Sequence, residues 1–129
     1  MIETPGTGKK LIIFDDDEDI LSICSYFLEE NGWQVFTFTD CTEIVERVSS
    51  IGPDVILMDN WIPENGGITA TRILKQSEQL KHIPVVYFSA NSDIDKLSAQ
   101  AGADGYLAKP FDLDELVRII EEKTITTVK

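Results

Sequence analysis

Leu11-Ile12-Ile13-Phe14-Asp15-Asp16-Asp17 is the stretch on which the fold turns. Its apolar part is short and continuous, with no polar residue to mark a solvent face. Such a run is the mark of a strand covered on both sides, as in a parallel sheet flanked by helices. Three carboxylates then follow without a break. In open parallel sheets, ligands bind beyond the carboxyl ends of the strands, so these acids stand where chemistry is expected.

Outward from this stretch the pattern repeats. Val55-Ile56-Leu57-Met58 and Val85-Val86-Tyr87-Phe88 are further buried-strand runs, and Val35-Phe36-Thr37-Phe38 and Tyr106-Leu107-Ala108 are weaker ones. Helical stripes lie between them. Ile20, Ile23, Cys24, Phe27 and Leu28 share one helix face, as do Ile44, Val45, Val48 and Ile51, and Leu113, Leu116, Val117 and Ile120. Asp40 with Glu43, Ser92 with Asp95, and Asp112 with Glu115 have capping-box spacing. Gly32 and Gly52 stand where helices should stop. Gly66 to Gln76 is helical by propensity but has the least regular stripe. Five βα units predict an α/β fold, a parallel sheet with helices on both faces and right-handed crossovers. Residues 1–9 are expected to be a flexible lead, 10–123 the domain and 124–129 a frayed tail.

Composition narrows the function. The chain has 129 residues, enough for one ordinary domain. Eleven basic residues against 23 acidic ones give a net charge of −12. Such a surface repels phosphate backbones and anionic lipids, so neither nucleic acid nor membrane is an expected partner. Solubility alone accounts for much of the acidic excess. Two cysteines and one histidine cannot form a disulfide framework or a four-ligand zinc site. No signal sequence or membrane-length apolar run is present, and a cytoplasmic location is expected.

The residues that end the strands carry the chemistry. Asp15 and Asp16 follow the first strand, Asp59 ends the third, Ser89 the fourth, and Lys109-Pro110 the fifth. Three carboxylates crowded together repel unless a cation joins them. A hard divalent ion with few protein ligands and several waters favours Mg²⁺. Lys109 and Ser89 add a mobile positive charge and a donor, suited to a phosphoryl group beside the metal. Asp17 reads better as a helix N-cap than as a ligand.

Three rivals use the same residues. Asp15, Asp17 and Asp19 open like a calcium EF-hand loop, but Ile20 and Tyr26 stand where that loop needs Gly and Glu. Gly6-Thr7-Gly8-Lys9-Lys10 echoes a phosphate loop yet leads into a strand instead of a helix. Phe14-Asp15-Asp16-Asp17 resembles the nucleophile motif of haloacid-dehalogenase-type phosphatases, which need a further acidic pair after their lysine segment and more chain than follows Lys109.

Taken together the pieces resemble the receiver domain of two-component response regulators, over about residues 10–123. They are Asp15-Asp16; Asp59 followed by Asn60-Trp61-Ile62-Pro63; Gly66-Gly67; Ser89-Ala90; and Ala101-Gly102-Ala103-Asp104-Gly105-Tyr106-Leu107-Ala108-Lys109-Pro110-Phe111. The resemblance implies a flavodoxin-like doubly wound (βα)5 fold with strand order 2-1-3-4-5. It implies Asp59 as phosphoacceptor, with Asp15, Asp16, Asp59 and the Trp61 backbone carbonyl holding Mg²⁺. It further implies that Ser89 and Lys109 contact the phosphoryl oxygens and that Lys109-Pro110 is a cis peptide. Tyr106 would be a switch aromatic that turns inward as Ser89 moves, although an edge-strand aromatic would look the same.

The expected reaction is phosphoryl transfer from a sensor histidine kinase or histidine phosphotransfer protein to Asp59, followed by hydrolysis of the acyl phosphate. The chain would be a signalling domain in a phosphorelay, catalysing only its own phosphotransfer and autodephosphorylation. Trp61 and Asn91 would border the water's path, with Trp61 slowing hydrolysis by occlusion. His82, in a polar loop, is expected to be exposed and outside the relay, and Trp33 to pack structurally. With no effector segment in these 129 residues, a stand-alone receiver is expected, and a piece of a longer regulator or hybrid kinase is the alternative. Its output face would comprise Ile94–Ala101, Tyr106 and Asp112–Lys123, through which a phosphorylation-dependent homodimer could form. A phosphatase and a scaffold that never takes phosphate are the rival classes.

Overall fold

The computed structural model describes residues 9–59, 66–89, 93–109 and 111–128, with side chains to Thr124. Strands β1 (Lys10–Phe14), β2 (Gln34–Phe38), β3 (Val55–Asp59), β4 (Val85–Ser89) and β5 (Gly105–Ala108) form one sheet. All pairings are parallel, and the order is β2-β1-β3-β4-β5. Helices α1 (Glu18–Glu30), α2 (Ile44–Ile51), α3 (Gly66–Gln76), α4 (Ile94–Ala101) and α5 (Leu113–Val128) alternate with the strands. The expected strand order and doubly wound architecture are both found.

Strand alternation sorts the interior into two apolar layers. Ile12, Phe14, Ile56, Met58, Val85 and Tyr87 face α2, α3 and α4. Leu11, Ile13, Val55, Leu57, Val86 and Phe88 face α1 and α5. Neighbouring residues of one strand therefore serve different layers, as a two-residue period requires. Trp33 is buried in the α1/α5 layer, confirming its structural role. His82 is exposed.

Most helix boundaries follow the sequence signals. Asp17 caps α1, its Oδ1 accepting from Asp19 N at 2.9 Å and from Ile20 N at 3.4 Å. Gly52 ends α2 in the left-handed region at φ 65°, where its N–H donates to Val48 O. The Asp112 N–H donates to Glu115 Oε1 at 3.3 Å, one half of the expected capping box.

Two boundaries differ. Asp40 does not cap α2 through a box with Glu43. Its Oδ1 instead accepts from Thr42 N at 3.0 Å and Thr42 Oγ1 at 2.7 Å, a local turn, and the helix begins only at Ile44. Arg47 holds that turn by donating to Asp40 and Thr42 while lying 4.4 Å from the Phe38 ring centroid. Glu43 is thereby placed at φ 51°. At the other end, α5 continues to Val128, so residues 124–128 are helix where a frayed tail is expected. Thr124 supports the continuation, its Oγ1 donating to Ile120 O at 2.7 Å. The expected Ser92 cap lies outside the described residues.

Candidate functional site

Asp15 is the first residue past β1 and is fully buried. Its N–H donates to Phe38 O at 3.1 Å, and its Oδ1 accepts from Asp17 N at 2.9 Å. One carboxylate oxygen is thus fixed by backbone, leaving Oδ2 to face the site. Asp16 follows on the exposed side. Asp59 ends β3 with 4% of its surface exposed. Ser89 ends β4, fully buried, beside Ala108 in register.

Lys109 closes the cluster. Its backbone N–H donates to Ser89 O at 2.8 Å, which ties the chain leaving β5 to the tip of β4. Its Nζ reaches Asp15 Oδ2 at 2.9 Å and Asp59 Oδ1 at 3.2 Å, and stands 4.7 Å from the Phe88 ring centroid. Carboxylate oxygens of Asp15, Asp16 and Asp59 all lie within 4.8 Å of one another.

The electrostatics follow from this crowding. Burial pushes the Asp59 carboxyl up to about 6, and the Asp15 charge adds to the rise. Lys109 offsets only part of it, and the Asp16 charge works against it. For Lys109, burial pulls its pKa down, but its hydrogen bond to Asp15 and the charges of Asp59 and Asp15 outweigh that and leave it raised. Tyr87, the neighbour of Phe88 on the opposite face, is pushed up to about 12 by burial and by the Asp59 charge. Three carboxylates against one ammonium leave an excess of negative charge, which suits a hard cation with oxygen ligands.

Comparison with known proteins agrees. A family model described as the response regulator receiver domain matches residues 11–121. The chain belongs to the response regulator receiver domain family. As a receiver it is 33% identical over 111 residues to the alkaline phosphatase synthesis transcriptional regulatory protein PhoP of Bacillus subtilis, covering 84% of this chain and 45% of that protein. It is similar in structure to a putative response regulator of Chloroflexus aurantiacus, with a TM-score of 0.86, 27% identity and coverage of 95% and 99% of the two chains. The receiver domain of a Pseudomonas aeruginosa sensor histidine kinase, solved with a magnesium ion coordinated in its active site cleft, superposes with a TM-score of 0.83 at 28% identity, covering 90% of this chain and 97% of that one. This receiver spans about half the length of the transcriptional regulators PhoP and PrrA that it matches, and 16% of a matching sensor kinase/phosphatase of Vibrio cholerae. No helix among the described residues is long and apolar enough to cross a membrane.

The structure brings Asp15, Asp16, Asp59 and Lys109 into one cluster and places Ser89 at the same end of the sheet. Tyr106 stands apart on the edge strand, 47% exposed. Trp61, Asn91 and the Lys109-Pro110 peptide lie outside the described residues. Sequence reasoning missed the Phe88 ring beneath Lys109. The available signal was position, since Phe88 directly precedes Ser89 at the tip of β4.

Proposed function

We propose that this receiver accepts a phosphoryl group on Asp59, with Mg²⁺, from a phosphohistidine of a sensor histidine kinase or histidine phosphotransfer protein. The observation that carries the reading is the Asp59 carboxylate, buried at a strand end, hydrogen-bonded by the Lys109 ammonium and within 4.8 Å of the carboxylate oxygens of Asp15 and Asp16.

An Asp59 oxygen attacks phosphorus, the P–N bond of the donor breaks, and the histidine nitrogen leaves with the electron pair. Asp15, Asp16, Asp59 and the Trp61 carbonyl would hold the metal. That ion offsets negative charge shared by donor, acceptor and transferring group when it is bound. Lys109 supplies fixed positive charge beside Asp59 and Asp15, and Ser89 a hydroxyl toward the phosphoryl oxygens. Asp15 keeps Lys109 in place through its free oxygen. Water later attacks phosphorus, releasing phosphate and restoring the carboxylate.

The output follows from where these residues lead. Ser89 precedes α4, Lys109 precedes α5, and Tyr106 lies between them on β5. Drawing Ser89 toward the phosphoryl group opens room that Tyr106 fills by turning inward, and the α4–β5–α5 face changes. That face is the one proposed to form a phosphorylation-dependent homodimer. The location is proposed as cytoplasmic, which the free thiols of Cys24 and Cys41 support.

Intact-protein mass after incubation with a small phosphodonor and Mg²⁺ tests the reading. One added phosphoryl group, absent in Asp59→Asn, is expected. Steady release of phosphate from ester substrates would favour a phosphatase, and no mass gain would favour a scaffold.

A further inference from the structure

Phe88 and Asp59 are register partners on adjacent strands, so the ring stands beside the acceptor carboxylate. The ring is fully buried in the α1/α5 layer and is braced by Phe111, with centroids 6.1 Å apart at an interplanar angle of 47°. Ile13 and Leu57 face the same layer from β1 and β3 and are aliphatic. At the tip of β4, where the layer meets a charged lysine, the residue is aromatic.

We infer that Phe88 is a positioning residue for phosphotransfer, its ring face holding the Lys109 ammonium in the sector between Asp15 and Asp59. This rests on the reading of Asp59 as phosphoacceptor. A lysine side chain has many rotamers, and its ammonium loses water when it sits against a buried floor. An aliphatic floor gives nothing back for that water. A ring face does, because its quadrupole attracts the cation. With Asp15 and Asp59 taking hydrogen bonds and the ring beneath, the ammonium is confined on three sides. Phe111 follows Lys109 by two residues, so the same stretch of chain that delivers the lysine braces its platform.

The test replaces Phe88 by mono-, di- and trifluorinated phenylalanines, which drain charge from the ring face at nearly constant shape, and by Phe88→Leu. Initial rates of Asp59 phosphorylation are measured with a small phosphodonor and Mg²⁺, in the parent and in Lys109→Met. Full loss of a contact of this class corresponds to a fall of roughly two- to thirtyfold. The rate is expected to decline stepwise with fluorination in the parent, and the residual rate to stay flat in Lys109→Met. No trend in the parent, or the same trend in Lys109→Met, would overturn the inference. The ring-current shift of the Lys109 ε-methylene protons is read by NMR on the metal-free protein, independently of phosphate. Its presence in the parent and loss in Phe88→Leu are expected. Its absence in the parent overturns the contact itself, whereas its presence with no phosphorylation of Asp59 overturns the functional reading and this role with it.

Discussion

The Lys75 ammonium lies 2.6 Å from the Asp104 carboxylate, at the opposite end of β5 from Lys109. Lys75 also donates to Ile83 O at 2.9 Å and Lys81 O at 3.1 Å. Asp104 Oδ2 accepts from Val85 N at 2.8 Å, and the Asp104 N–H donates to Val85 O at 2.8 Å. The pair therefore pins the start of β5 to the start of β4 and to the end of α3. Asp104→Ala strips Val85 N of its acceptor as well as Lys75 of its ion pair. It should cost about 1.5–3 kcal/mol, more than Lys75→Met. Urea unfolding of the two variants checks the order, and equal losses would contradict it.

Thr71 is fully buried in α3, and its Oγ1 has no hydrogen-bond partner among the described residues. A buried hydroxyl in that state has lost its water and gained nothing for it. Thr71→Val should raise stability by about 1 kcal/mol, because a methyl group replaces the orphaned hydroxyl. A fall in the urea midpoint would mean that the hydroxyl is satisfied in solution.

Asp59 makes stability depend on pH. Its folded pKa, about 6, lies above the ordinary 3.8, so the folded state disfavours its charge. The penalty is absent below about pH 4, grows as pH rises to about 6 and is complete above that. Metal-free Asp59→Asn should therefore be more stable than the parent at pH 7.5, by about 1–3 kcal/mol, the attraction of Lys109 being already contained in the Asp59 shift. The two should converge near pH 4. Thermal unfolding in a chelator across pH 4–8 tests this, and a gap that widens on acidification would reverse the sign.

At the proposed metal site the same proton would compete with Mg²⁺. Below pH 6 the ion must displace it from Asp59, so affinity should fall by up to about tenfold per pH unit. Asp16→Ala should weaken binding at every pH. Calorimetric titration reads both effects, and metal binding in Asp16→Ala as tight as in the parent would remove Asp16 from the ligand set.

Cys24 and Cys41 are each 1% exposed, and burial pushes their thiols up to about 11 and about 12. Both should resist iodoacetamide at pH 8 in the folded protein and react once it is unfolded in urea. Rapid alkylation of Cys24 without denaturant would show that α1 opens locally.

Much of this was legible in the sequence because burial writes itself into the strands. β1, β3 and β4 are covered on both faces and read as unbroken apolar runs, whereas the edge strands β2 and β5 have exposed positions and read weakly. The stripe of α3 consists of Gly67, Ala70, Thr71 and Leu74, correctly spaced but too small and mixed to stand out by hydropathy. The start of α2 was misread because Asp40 spends its side chain on a turn held by Arg47, a contact that capping-box spacing cannot distinguish. Asp15, Asp16, Asp59, Ser89 and Lys109 stand out as candidates because each lies at or just beyond a strand end. Phe88 was not, since one more apolar residue in an apolar run carries no mark of the cation above it.

The sheet is also a septum. Leu57 and Met58 are adjacent in the chain yet belong to different apolar compartments, and among the described residues no core side chain is shared between the two. Damage on one side should not be repaired or worsened by changes on the other. Cavities made by Val48→Ala beneath α2 and Leu116→Ala beneath α5 should add in free energy to within about 0.5 kcal/mol. Sequence drift in the layer under α2, α3 and α4 can then proceed without retuning the layer under α1 and α5, leaving the strand tips as the place where both halves must agree.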